Sequence, residues 1–147
     1  MIKVRFYDEV DDALLKFAVI ITRSDGKWVF CKHRKRDTYE VPGGHREAGE
    51  SIEETAKREL YEETGAVDFD MEPVCIYSVA SVDDEGKETE ETFGMLYTAK
   101  VREFEPELHS EIEKIIITQD LPEHWTYPEI QPELMRELER RKGIETS

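Results

Sequence analysis

Residues 50–66, ESIEETAKRELYEETGA, constrain the fold of this chain more than any other stretch. Ser51 followed by Glu54 forms a capping box with Ser51 at the N-cap. Gly65 offers a left-handed stop, so the spacing predicts a helix over Ile52 to Thr64. Ile52, Ala56 and Leu60 recur every four residues and share one apolar stripe. Glu59 and Glu63 fall inside that stripe, whereas Glu54, Lys57 and Tyr61 point the other way. Two carboxylates four residues apart repel each other, and burying them unpaired is costly. A cation is therefore expected between them. Carboxylates from neighbouring turns, Glu59, Glu62 and Glu63, suit a hard divalent ion that takes oxygen ligands. Glu pairs also occur at Glu53-Glu54 and Glu90-Glu91, so a pair alone signals little in so acidic a chain. The spacing around it decides.

That spacing is long and fixed. Pro42, Gly43 and Gly44 read as a glycine turn. After Gly44 come five residues and Glu50, then seven residues and Arg58-Glu59-Leu60, one residue, Glu62-Glu63, one residue and Gly65. This resembles the Nudix box, G-x5-E-x7-R-E-U-x-E-E-x-G-U with U a bulky aliphatic, of the Nudix hydrolase family. Every charged and glycine position matches. Only the last differs, where Ala66 replaces a larger aliphatic.

The resemblance implies an α+β fold of the Nudix type, an α/β/α sandwich in which a mixed β-sheet carries helices on both faces. It implies magnesium or manganese held by Glu59, Glu62, Glu63 and the carbonyl of Gly43. It also implies that Arg58 braces the loop against the helix through Glu50, with Gly44 and Gly65 as structural supports. Nudix enzymes hydrolyse a nucleoside diphosphate linked to another group. The general base is then Glu59 or a glutamate of a late loop, where Glu111 is the candidate and Glu107 and Glu113 are rivals. Glu62 completes the catalytic glutamates.

Length and composition agree with a soluble enzyme. A chain of 147 residues is enough for one domain, residues 1–147, with its own core. With 35 acidic against 20 basic residues the formal net charge is −15, which argues against a nucleic-acid duplex or an anionic membrane as partner. Cys31 and Cys75 lie in strand-like runs without metal spacing and read as buried free thiols of a reducing compartment. No apolar run reaches membrane-spanning length and no signal peptide is visible, so a cytoplasmic location is expected. A homodimer is compatible with the sequence, but nothing in it sets the oligomeric state.

In chain order, Ile2 to Tyr7 alternates as an edge strand, and Leu14 to Ile21 is apolar enough for a central one. Ser24-Asp25-Gly26 signals a hairpin to Lys27–Lys32. The basic run Lys32 to Arg36 follows; it is either a solvated loop or a phosphate contact, with Arg34 favoured. His45 is a second phosphate candidate. A long hairpin is expected from Val67 to Val82 and Thr92 to Val101, then a strand at Lys114 to Thr118. Pro132 suits the first turn of a last helix with Gly143 as its stop. Tyr39, Phe93 and Tyr97 are the candidates for a nucleobase slot.

Substrate follows by elimination. The tyrosine expected about 16 residues after the box in dinucleoside polyphosphate hydrolases is absent, since Val82 stands there. The extra ADP-ribose and coenzyme A signatures are not evident. A nucleoside triphosphate, ordinary or with an oxidised guanine, is favoured, cleaved to monophosphate and pyrophosphate. The alternatives are an ADP-ribose or nucleotide-sugar pyrophosphatase, or a Nudix-like module that binds a nucleotide without hydrolysis. The complete set of box glutamates favours an enzyme.

Overall fold

The computed structural model describes residues 1–106 and 112–144. Seven strands form one mixed sheet: β1 (Ile2–Tyr7), β2 (Leu15–Ser24), β3 (Lys27–His33), β4 (Gly43–His45), β5 (Ala66–Ser81), β6 (Thr92–Phe104) and β7 (Ile112–Thr118). Helix α1 (Ile52–Thr64) follows β4 and helix α2 (Gln131–Lys142) follows β7. The order across the sheet is β1-β5-β6-β2-β3-β7, with β4 paired to β2 off that path. β2 and β6 run parallel; the other pairs are antiparallel.

The two-residue period of β2 decides which helix goes where. Ala18 and Ile20 face one way and join Ala56, Leu60, Ala66, Tyr97, Ala99 and Val101 under α1. Phe17, Val19 and Ile21 face the other way and join Tyr77, Leu96, Leu134, Met135 and Leu138 under α2. Helices on both faces make the expected α/β/α sandwich. Ala66, the small residue at the end of the box, is buried beneath α1, where the rings of Phe69 and Phe104 pack nearby.

The local signals hold. Ser51 accepts from the Glu54 N–H while the Glu54 carboxylate accepts from the Ser51 N–H, and Gly65 ends α1 at φ 77°. Asp25 and Gly26 both take positive φ between Ser24 and Lys27, the turn that a two-residue hairpin needs. α2 has proline in its first turn and stops at Gly143 with φ 70°. At Pro73 the pairing of β5 with β6 shifts register without ending the strand.

One expectation is corrected. Gly43 and Gly44 do not turn the chain; they form β4, laid along Ala18 and Val19 of β2. Glycine is needed there for close approach. A Cβ on Gly43 would lie 2.6 Å from the Ala18 carbonyl, and one on Gly44 would lie 2.3 Å from the Glu59 carboxyl carbon. β4 takes the Phe17–Val19 part of the β2 edge and β3 takes Thr22–Ser24, so the two share one edge.

Candidate active site

α1 is held to β4 by Arg58. Its Nε donates to Glu50 Oε2 at 2.6 Å, and Nη2 donates to Glu50 Oε1 and to the His45 carbonyl, both at 3.0 Å. Nη1 donates to Glu59 Oε1 at 2.6 Å and Glu62 Oε2 at 3.3 Å. Glu50 also accepts from the Glu47 N–H and the Thr55 hydroxyl at 2.9 Å. With Arg58 and then these donors around it, its carboxyl is pulled down to about 2.

Glu63, one turn on, is buried and its Oε1 accepts from the Gly43 N–H at 2.9 Å. Its Oε2 lies 3.6 Å from His33 Nε2, which is also 3.6 Å from Glu40. Burial, with Glu59, Glu40 and Glu62 adding repulsion, pushes the Glu63 carboxyl up to about 8 against the pull of the Gly43 N–H. Glu59 shifts upward as well, first through burial, although Arg58 opposes the shift. Among the described residues no three carboxylate, imidazole or thiol groups yet converge on one point, because Glu59 and Glu62 share Arg58 while Glu63 caps Gly43. The donor set nevertheless suits a hard cation: three carboxylates on two neighbouring turns, two of them with pKa raised by burial, beside a glycine backbone that a side chain would block.

Glu59 and Glu63 help to line a cavity of about 580 Å³. Gly43 and Gly44 line it too, together with the apolar Phe17, Val19, Val41, Tyr77, Ile130 and Leu134. Tyr77 and Phe17 pack with ring centroids 6.1 Å apart, and His45 meets Phe17 edge-on at 5.6 Å. Both rings lie over Gly94, where a Cβ would come within 2.5 Å of Phe17 and 2.7 Å of Tyr77. A glycine in β6 thus leaves room for both rings.

The candidates from sequence are distributed unevenly. Gly43, Gly44, His45, Glu59 and Glu63 line the cavity; Glu50, Arg58 and Glu62 stand behind it on the bracing network. Arg34 lines a separate pocket of about 490 Å³ with Thr64, Glu105 and Glu113. Its neighbour Arg36, with Glu40 and Tyr127, lines the main cavity instead. Tyr39 packs against the α2-side core and pairs with Trp125. Tyr97 lies under α1, and Phe93 packs on Tyr7. Glu107 and Glu111 fall outside the described residues, and Glu113 is ion-paired to Lys32 at 2.7 Å. Sequence reasoning missed Glu40, Tyr77, Tyr127 and Gln131, and within the basic run Lys32 to Arg36 it favoured Arg34, whereas His33 and Arg36 line the cavity. The basic run and the aromatic loop hinted at Arg36 and Tyr127; nothing local marked Tyr77 or Gln131.

Comparison with known proteins agrees with this geometry. The family model described as NUDIX domain matches residues 14–138. The "Putative 8-oxo-dGTP diphosphatase YtkD" of Bacillus subtilis (strain 168) is 42% identical over 65 residues, which are 44% of this chain and 40% of that protein. The match thus spans less than half of that relative's length. A crystal structure of a variant of the Bacillus subtilis pyrophosphohydrolase BsRppH superposes with a TM-score of 0.76 at 25% identity, covering 98% of this chain and 93% of that one. A UDP-X diphosphatase shares the fold at a TM-score of 0.67 and 19% identity, over 93% of this chain and 66% of that one. No helix among the described residues is long and apolar enough to cross a membrane. A matching family model over most of the sequence, a box with every charged and glycine position in place and a sheet with helices on both faces together show that this chain belongs to the Nudix hydrolase family.

Proposed function

We propose that the chain, as one domain over residues 1–147, is a divalent-metal-dependent pyrophosphohydrolase. It converts a nucleoside triphosphate, ordinary or with an oxidised guanine, to the monophosphate and pyrophosphate. The observation that carries this reading is the single cavity, acidic at Glu59 and Glu63 and apolar at Phe17, Tyr77 and Leu134. The acids suit a phosphate chain with its cation, and the apolar side chains suit a base and sugar. Similarity to a relative described as an 8-oxo-dGTP diphosphatase supports the guanine part.

Glu59, Glu62 and Glu63 would hold magnesium or manganese, with the Gly43 carbonyl beside them. When bound, such an ion offsets charge on the phosphate oxygens and lowers the pKa of a water. Arg58 and Glu50 keep α1 and β4 in register, so the acids meet the glycine backbone at a fixed separation. Arg36 and His45, which line the cavity, supply donors to the outer phosphates. A water attacks phosphorus, the phosphoanhydride bond breaks, and the water's proton passes to a carboxylate. Glu59 and Glu62 are engaged with Arg58, and a carboxylate that ligates a cation is a weakened base. We therefore assign the proton to Glu111, the late-loop glutamate favoured from the sequence.

Two unpaired buried thiols, Cys31 and Cys75, support a reducing, cytoplasmic setting. The test is a phosphate- and pyrophosphate-release screen over nucleotides with Mg²⁺ and Mn²⁺. Pyrophosphate from a triphosphate is expected. Turnover of ADP-ribose or a nucleotide sugar alone, or nucleotide binding without turnover, overturns the reading. For the base, Glu111→Gln should cut kcat by roughly 10²- to 10⁴-fold with metal affinity kept. Full activity there, with that pattern in Glu59→Gln instead, would put the base on α1.

A further inference from the structure

Gln131, the first residue of α2, is buried in the cavity wall, and its Oε1 accepts a hydrogen bond from the Val41 N–H at 2.8 Å. That partner settles which way the carboxamide points. A backbone N–H can only donate, so the oxygen must face Val41 and the NH2 must face elsewhere. No hydrogen bond engages Nε2 among the described residues, and Gln131 is one of the residues that line the cavity. Gln131 can turn over only by leaving the buried Val41 N–H unpaired, which is costly. The cavity lining therefore includes a carboxamide whose orientation Val41 fixes, beside the apolar Ile130 and Leu134.

We infer that Gln131 is a specificity-determining residue that reads the edge of the base and selects a 6-oxopurine nucleotide over a 6-aminopurine one. This rests on the nucleotide hydrolase reading above and deepens it. A purine carbonyl at position 6 accepts from Nε2. An amino group there meets it donor to donor, and a site that leaves its buried polar group unpaired discriminates strongly. The chemistry is confined to the edge of the ring, so it separates guanine-type and hypoxanthine-type bases from adenine.

The experiment compares dITP with dATP, which share sugar, phosphates and ring system, on wild-type protein and on Gln131→Glu. Wild type should favour dITP in kcat/KM by about 10- to 100-fold. Gln131→Glu keeps an acceptor for the Val41 N–H but offers the cavity an acceptor, so the preference should fall at least about 10-fold or reverse. Its thermal midpoint verifies folding. If that variant does not fold, the wild-type ratio still decides, because equal rates on dITP and dATP overturn the inference. An unchanged ratio in a folded Gln131→Glu overturns it too. Calorimetric binding of dIMP and dAMP keeps the two ideas apart. Selective dIMP binding without triphosphate turnover would sink the hydrolase reading and leave Gln131 as the reader of the base.

Discussion

Glu63 is the residue whose environment is hardest to explain without a cation. Its carboxylate is buried, pushed up to about 8 and surrounded by Glu59, Glu40 and Glu62. In Glu63→Gln the amide oxygen can still accept from the Gly43 N–H, so the fold should survive. Turnover should fall by about 10²- to 10³-fold, the scale for losing one charge-stabilising group at a reaction centre. The thermal shift that Mg²⁺ gives wild type should vanish; a retained shift would remove Glu63 from the ligand set. Glu50 works the opposite way. Arg58 and its other donors hold its folded pKa at about 2, below the ordinary value of 4.5. Its contribution is present above about pH 4.5 and lost as pH falls towards 2. The difference in thermal midpoint between wild type and Glu50→Gln should therefore be full at pH 7 and shrink between pH 5 and pH 3. A constant difference over that range would show that the ion pair is not its source. Both residues stood out in the sequence because they lie within one helix and its preceding loop, at fixed spacing from each other. Gln131 was not, because its meaning depends on Val41, ninety positions away.

At the scale of elements, α1 and β4 act as one piece joined by Arg58. Arg58→Ala removes the link to Glu50, the His45 carbonyl and Glu59 together. It should lower the thermal midpoint by about 5 °C and reduce turnover with it. Arg58→Lys should restore little, since an ammonium cannot make the paired fork to Glu50. A midpoint equal to wild type in Arg58→Ala would count against bracing. Element boundaries were largely readable from caps, turns and periodicity, as at α1 and the Asp25-Gly26 hairpin. The glycine segment misled because Pro-Gly-Gly is also turn chemistry; sequence could not show that β2 would come alongside. Arg34 and Arg36 could not be separated either. The bridge between Cys31 and Glu40 directs the loop, and it brings Arg36, not Arg34, to the cavity.

Across the whole molecule, an anionic protein of net charge −15 faces an anionic substrate. Monovalent salt at constant Mg²⁺ should therefore raise kcat/KM for a triphosphate by about 2- to 5-fold up to roughly 0.15 M, where the Debye length is about 8 Å. A monotonic fall would instead show that attraction by Arg36 and the bound cation dominates the approach. The layered architecture was legible from the order of periodic segments; the cavity walls were not, since five strands (β2 to β6), both helices and three loops each supply a part. The sheet also has a temporal consequence. Its central strand, β2, lies beside β6 through pairs such as Ile20 with Tyr97, and β1 joins the sheet through pairs such as Ile2 with Ser81. A growing polypeptide that has emerged only as far as α1 holds β2 with no neighbour on its β6 side and β1 with none at all. Its apolar run must wait, unpaired and prone to stick to other nascent chains, until most of the sheet has been synthesised.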